Sequence, residues 1–221
     1  MAPVLGYWNI RGYAQPARLM LAYKEEKFED KRYDYGPAPN YRQEWLKVKN
    51  TLGLAFPNLP YYIDGDVKLS QSIAILRYLA RKLKLDAETE EERIRTDLIE
   101  QQAIDLRAGL VSIAYNEDFA KLKVDYLKNL PLSLQQFADF LGKKSWFAGD
   151  RLTYVDFLVY EVLDQHLVLD PDCLKQFPSL EGFLKEFKGL PTIEKYMNSP
   201  DFLSFPLNGD MAYFGSRRGQ K

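Results

Sequence analysis

The chain has 221 residues, of which 46% are hydrophobic and 28% are charged, a balance typical of a soluble globular protein. Its formal net charge is −1, so no basic excess points to a nucleic-acid partner. One cysteine, Cys173, excludes an intramolecular disulfide and a paired redox site, and with the single histidine, His166, it cannot form a structural zinc site.

The sequence also predicts no membrane partner. No apolar run approaches the roughly 20 residues that a membrane-spanning helix requires, and residues 1–12 contain no signal-peptide core. Together with the lone cysteine, these observations predict a protein of the reducing cytoplasm.

Short strands and helices alternate in the first eighty residues. Val4–Trp8 has the composition of a strand, and Gln15-Pro16 opens a helix with proline in its first turn, where proline is tolerated. Residues 28–33 alternate as a strand does, and the segment Tyr35–Pro39 is too rich in Gly and Pro for regular structure. This order of elements predicts a small α/β layer.

The stretch from Phe56 to Ser72 is the most informative part of the chain. An Asp64-Gly65 turn joins two short strands, which predicts a β-hairpin. Pro60 precedes the first strand, and the Leu59–Pro60 bond is a candidate for the cis form.

Ser70-Gln71-Ser72 then opens an apolar-periodic helix. The free N–H groups and positive dipole end of such a helix suit a carboxylate. The alternative interpretation is that Ser72 only caps its helix.

The second part of the chain has helical periodicity throughout. A charged connector over residues 82–92 places a domain boundary near residue 84, so we predict domains at 1–84 and 85–221. Asn129-Leu130-Pro131 is expected to end one helix and begin the next, and Thr153-x-x-Asp156 is a capping box. His166 is expected on the protein surface, and Cys173 is expected to be packed or partly exposed.

Six segments, in this order and spacing, resemble a mu-class glutathione S-transferase over nearly the whole chain. The resemblance implies a thioredoxin-like α/β N-terminal domain, an all-α C-terminal domain and a homodimer. It implies glutathione as co-substrate, no tightly bound cofactor and no metal. The segments are Leu5–Gly12, Gln15–Arg18, Gly36–Pro39, Leu52–Tyr61, Gln71–Ala80 and Tyr154–Phe157.

Matched by position, the resemblance implies that Tyr7 is the catalytic tyrosine. Tyr13, where many members carry leucine, and Tyr115 would bind the electrophile, while Phe56 and Arg77 would lie at the dimer interface. Of the glutathione ligands, Asp105 would reach the partner subunit's glutathione. The implied glutathione-binding residues are Trp8, Arg42, Trp45, Lys49, Asn58, Leu59, Gln71, Ser72 and Asp105.

The expected function is conjugation of the glutathione thiolate to hydrophobic electrophiles, a detoxification reaction. Only about 3% of a free thiol is ionised at pH 7, and a tyrosine hydroxyl that donates to sulfur raises that fraction. No Ser or Cys precedes Ser70, so the chain offers no early serine or cysteine donor. The alternatives are a non-catalytic carrier of hydrophobic ligands, a crystallin-like protein on the same fold, or a glutathione-dependent isomerase.

Overall fold

A computed structural model of the chain describes residues 2–218. The ends of the two predicted domains, Met1 and residues 219–221, lie outside this range. The described part contains four strands, eight α-helices and a short 3-10 turn at Gly12–Ala14. The strands are β1 (Val4–Trp8), β2 (Glu29–Tyr33), β3 (Tyr61–Asp64) and β4 (Val67–Ser70), and the helices are α1 (Gln15–Tyr23), α2 (Gln43–Val48), α3 (Ser72–Leu83), α4 (Glu90–Ala114), α5 (Phe119–Leu141), α6 (Tyr154–Leu169), α7 (Pro178–Lys188) and α8 (Pro191–Met197).

The four strands form one mixed sheet in the order β2-β1-β3-β4. β1 pairs parallel with β2, as a strand–helix–strand crossover requires, and antiparallel with β3. β3 and β4 pair antiparallel across a two-residue turn, which confirms the predicted hairpin. The α/β prediction for the first part of the chain is therefore confirmed.

The two faces of the sheet carry different cores. On one face, Leu5 from β1 packs with residues of α1 and α3, in a hydrophobic cluster that continues into the helical part of the chain. On the other face, Tyr33 and Tyr61 pack against Trp45 from α2. Because side chains alternate along a strand, Tyr7 points to the same face as Leu5, toward the helices.

The predicted capping box at the start of α6 is confirmed. The Asp156 carboxylate accepts hydrogen bonds from the N–H groups of Phe147 and Thr153, each at 2.8 Å. Both donors are buried, so the box satisfies polar groups that water does not reach. It thereby fixes the first turn of α6, a helix whose residues are almost all buried.

The prediction that Asn129–Pro131 separates two helices is wrong. α5 is continuous from Phe119 to Leu141, with Pro131 inside it. An interior proline costs a helix about 3 kcal/mol. Leu130, Leu134 and Phe137, spaced three or four residues apart, are all buried, and packing of this apolar stripe outweighs that cost.

The prediction of a surface position for His166 is also wrong, because the side chain is fully buried in α6. Its Nδ1 donates to the carbonyl of Val162 at 2.7 Å, which leaves Nε2 to accept from the Tyr126 hydroxyl, also at 2.7 Å. Burial lowers the pKa of His166 from 6.5 to about 4. Cys173 is partly buried, as expected.

This histidine makes stability depend on pH. Below pH 6.5 the unfolded chain takes up a proton that the folded chain binds only near pH 4, so stability is full above pH 6.5 and declines as the pH falls to 4. Between about pH 7 and pH 5, we expect the free energy of unfolding to fall by about 2 kcal/mol more in the native protein than in a His166→Gln variant. Urea unfolding at one protein concentration measures the difference. Equal pH dependence of the two proteins would contradict a neutral buried imidazole.

Candidate active site

Tyr7 lies near the carboxyl end of β1, and its side chain is only 5% exposed. The backbone N–H of Tyr13 donates to the Tyr7 hydroxyl oxygen at 3.1 Å. Gly12 lies between them with φ +42°, and a Cβ there would come within 2.4 Å of the Tyr7 ring, so the ring packs directly on the backbone of this turn.

The surroundings keep the Tyr7 hydroxyl protonated. Burial raises the pKa of this phenol to about 12, although the Tyr13 N–H and the Arg107 guanidinium act in the opposite direction. At neutral pH the hydroxyl therefore retains its proton. Tyr7 can thus donate a hydrogen bond and is not itself a base.

A second feature, which the sequence analysis did not identify, is the Arg107 side chain on α4. Its guanidinium carbon lies 4.0 Å from the centre of the Tyr13 ring, and the residue is 5% exposed. Its Nε has no hydrogen-bond partner within residues 2–218. Buried guanidinium groups are normally paired with carboxylates, as Arg11 and Arg18 are here, so Arg107 marks a place where negative charge would be favourable.

Arg107 also lines a small cavity bordered by residues of α1, α3, α4 and α6. The cavity measures about 90 Å³ and is mostly apolar. Tyr13 and Ser72, two of the predicted site residues, line it together with Arg107. The structure thus brings Tyr7, Tyr13 and Ser72 to one region, although they are far apart in the sequence.

The C-terminal segment closes one side of this region. The N–H of Gly209 donates to the Tyr115 hydroxyl at 2.8 Å, and the N–H of Tyr213 donates to the Ala114 carbonyl at 2.7 Å. Tyr13 and Tyr115 remain partly exposed, as electrophile-binding residues need to be.

A further aromatic group, Tyr35, was not identified from the sequence. Its ring stacks on Trp8 with the ring centres 4.5 Å apart. Its hydroxyl also lies against Gly209, where an added Cβ would come within 2.5 Å of the oxygen.

Helix α3 begins at Ser72, and Gln71 holds the N-cap position without a side-chain capping hydrogen bond. The interpretation that Ser72 only caps its helix is therefore wrong. Gln71 has φ +74°, a conformation that residues other than glycine rarely adopt and that is often found at functional sites. The first N–H groups of α3 thus lack a side-chain cap beside the cavity.

The Leu59–Pro60 bond is cis, which confirms the possibility raised by the sequence. The N–H of Leu59 donates to the side-chain oxygen of Asn58 at 2.9 Å. Trp45 is buried against Tyr61, with 4% of its surface exposed. The remaining predicted ligands of this side are the exposed Arg42, just before α2, and the half-exposed Lys49, just after it.

Asp105 lies on a different side of α4 from Arg107. It lines a groove of about 160 Å³ between α4 and α5, together with Gln102 and Ser133, and is exposed. The structure therefore does not place Asp105 beside Tyr7 of its own chain.

The two predicted interface residues also lie outside the cleft. Phe56 is 74% exposed, and the Ser70 hydroxyl donates to its carbonyl oxygen. Arg77 makes a bidentate ion pair with the buried Glu100, at 2.6 and 2.9 Å. An apolar hollow of about 270 Å³ lies between α4 and α5, with Leu98 and Phe140 among its lining residues.

Comparison with known proteins identifies the family. Residues 3–81 match the family model described as glutathione S-transferase, N-terminal domain, and residues 104–200 match the corresponding C-terminal domain. The chain is 53% identical over 218 residues to glutathione S-transferase Mu 2 of Mus musculus, covering 98% of this chain and 100% of the relative. The chain belongs to the mu class of the glutathione S-transferases.

Other members of this family give the same result. Glutathione S-transferase Mu 3 of Homo sapiens is 51% identical over 97% of this transferase and 96% of its own length. The crystal structure of the glutathione S-transferase Blo t 8 superposes with a TM-score of 0.89 at 38% identity, covering 96% of this chain and 99% of that one. The predicted glutathione S-transferase fold is therefore confirmed. Among residues 2–218 of this transferase, no helix has the length and apolar character needed to span a bilayer.

Proposed function

We propose that this protein transfers the thiolate of glutathione to hydrophobic electrophiles. The observation that carries the proposal is the buried Tyr7 hydroxyl, which keeps its proton at neutral pH and is held by the Tyr13 N–H at the end of β1. A protonated phenol that donates to sulfur favours the ionised thiol, which is the nucleophile. Full ionisation raises the reactive fraction by at most about 30-fold over 3%, so positioning of the electrophile must supply the remaining acceleration.

Glutathione would lie between the start of α3 and the cis-proline loop. The uncapped N–H groups at Ser72, with Gln71 beside them, would receive the γ-glutamyl carboxylate. The backbone of Leu59 would pair with the cysteinyl residue as an added strand does, exchanging its present bond to Asn58 for one to the ligand.

The other end of the tripeptide would lie near α2. Lys49, Arg42 and Trp45 would hold the glycyl carboxylate, and Trp8 would contact the ligand beside Tyr35. The electrophile would bind between Tyr13 and Tyr115, over Arg107.

Arg107 gives the site a preference among electrophiles. Addition of a thiolate to a nitroaromatic ring or an enone moves negative charge onto the electrophile. A buried guanidinium whose Nε has no hydrogen-bond partner among residues 2–218 can stabilise that charge. We expect Arg107→Leu to lower kcat/KM by about tenfold for 1-chloro-2,4-dinitrobenzene and much less for an alkyl iodide. Steady-state kinetics with both substrates measures this, and Arg107→Lys, which keeps the charge, is the matched control. Equal losses for the two electrophiles would contradict the assignment.

We further propose a homodimer in which each subunit completes the other's site. Phe56 is exposed and apolar, and the hollow beside Leu98 on α4 is of a size to receive an aromatic ring from a second copy. Asp105 points away from its own cleft and would reach the amine of the partner's glutathione. Arg77, held by Glu100, would lie at the same interface.

We propose a domain boundary near residue 84, where α3 ends and Lys84 has a left-handed backbone conformation. A detoxification role in the cytoplasm agrees with the single cysteine and with the predicted substrate class. A carrier, a crystallin-like role and an isomerase are not favoured, because the similar proteins are named transferases.

One assay tests the proposed activity. Purified protein would be supplied with glutathione and a panel containing a nitroaromatic halide, an enone and an alkyl halide, and conjugate formation would be followed. We expect turnover with saturation in glutathione and in electrophile. Binding of glutathione or of an apolar dye without turnover would instead support the carrier.

A further inference from the structure

Arg11 makes an unusual connection between the sheet part of the chain and α6. Its guanidinium is buried, with Nη2 2.7 Å from both a Glu161 oxygen and an Asp164 oxygen, and Nε 3.1 Å from the second Glu161 oxygen. Gln165 donates to Glu161 at 2.6 Å, and Lys188 lies 3.0 Å from Asp164. Both carboxylates are thus held by several donors at once.

Such a network is weak evidence for stability alone. The hydration free energy that two charges lose on burial is about as large as the interaction energy that the ion pair gains. Apolar residues of similar size often stabilise a fold equally well. The network instead fixes geometry, because a guanidinium in a bidentate ion pair is held in orientation as well as in position.

The backbone of Arg11 is fixed as well as its side chain. The N–H of Arg11 donates to the Pro206 carbonyl at 2.8 Å, and the N–H of Gly12 donates to the Leu207 carbonyl at 3.0 Å. Only Gly12, with φ +42°, separates Arg11 from Tyr13, whose N–H donates to the Tyr7 oxygen. Any displacement of Arg11 is therefore carried within two residues to the hydrogen bond on the Tyr7 hydroxyl.

We propose that Arg11 is a positioning residue for the reaction: its ion pairs with α6 aim the Tyr13 N–H at the Tyr7 oxygen and so strengthen the hydrogen bond that Tyr7 donates to sulfur. The proposal rests on the proposed function. The other groups that face the Tyr7 hydroxyl are the Arg107 guanidinium and the phenols of Tyr13 and Tyr115. None of these three groups is a partner of the Arg11 guanidinium, whose ion pairs are with Glu161 and Asp164.

The decisive measurement is the pKa of the glutathione thiol in the binary complex, from the ultraviolet absorbance of the thiolate and from the pH profile of kcat/KM. In Arg11→Lys, which keeps the charge and loses the bidentate geometry, we expect this pKa to rise by about one unit, which lowers the thiolate fraction about tenfold below the pKa. KM for glutathione should change less than twofold to threefold, because the tripeptide contacts are elsewhere. Asp164→Asn leaves the Arg11–Glu161 pair intact and should raise the thiol pKa by a smaller amount. It replaces Arg11→Lys in the experiment if that variant does not fold.

Two controls separate positioning from general destabilisation. Arg151→Lys alters a hydrogen bond to the Asp86 carbonyl and an ion pair to Glu92, remote from Tyr7, and should leave the thiol pKa unchanged. In a Tyr7→Phe background, Arg11→Lys should cause no further shift, since its effect passes through the phenol. A shift in Arg151→Lys equal to that in Arg11→Lys, or a full further shift without Tyr7, would overturn the proposal.

The same data distinguish this proposal from the function on which it rests. If Tyr7→Phe alone leaves the thiol pKa unchanged, the tyrosine mechanism is wrong. If Tyr7→Phe raises the pKa and Arg11→Lys does not, only the role of Arg11 is wrong.

Discussion

Replacement of Tyr7 by phenylalanine should lower the rate of conjugation at pH 7 by about 30-fold and change glutathione affinity only a few-fold. Without the phenolic proton, the bound thiol returns toward its ordinary pKa near 8.5, at which only about 3% is ionised at pH 7. The tripeptide contacts proposed for Leu59, Gln71 and Ser72 do not involve this hydroxyl, so binding should persist. Stopped-flow kinetics with a chloronitrobenzene, beside fluorescence titration with glutathione, gives both numbers.

The pH profile supplies the control for this variant. As the pH rises toward 9, the thiol ionises without help, so the rates of native protein and variant should converge. A Tyr33→Phe variant is a matched comparison, since that buried hydroxyl hydrogen-bonds to the Tyr61 hydroxyl at 2.9 Å, on the other face of the sheet. Unchanged turnover in Tyr7→Phe would rule out the tyrosine mechanism.

The second large effect is expected at Phe56. In a two-fold dimer each protomer would insert one ring, so Phe56→Asp removes two apolar contacts of about 1.5–3 kcal/mol each and brings a charge to each hollow. We expect the dimer dissociation constant to rise about 100-fold or more. Sedimentation velocity over a range of protein concentrations measures it, and conjugation should fall in parallel if Asp105 acts across the interface.

Val168→Asp controls for the added charge, because Val168 is an exposed apolar residue near the end of α6. It should leave the dissociation constant unchanged. A Phe56→Asp protein that remains dimeric at nanomolar concentration would show that the Phe56 ring is not a main contact of the proposed dimer interface.

Local patterns in the sequence sufficed for much of the fold. Turn chemistry predicted the β3–β4 hairpin, and side-chain spacing predicted the Thr153–Asp156 capping box, because both depend on residues close in the chain. The continuity of α5 through Pro131 and the burial of His166 depend on which helices pack against them, and local propensity carries no such information.

The same distinction applies to the site. Positions matched to the family predicted Tyr7 and Ser72, which the fold brings to one region. Arg107 and Tyr35 were missed because their importance lies in what surrounds them. The Arg107 Nε is buried without a hydrogen-bond partner among residues 2–218, and Tyr35 stacks on Trp8. Neither property is visible until helices and sheet are placed together.

The hydrophobic cluster that runs from Leu5 in the sheet through Leu79 in α3 to Phe157 in α6 joins the interiors of the two halves of the chain. Removal of the helical half would leave that shared interior facing water, so a fragment ending near residue 84 should be insoluble or molten. In the intact chain, scanning calorimetry should record one endotherm whose calorimetric and van't Hoff enthalpies agree when the dissociation of the proposed dimer is included in the fit.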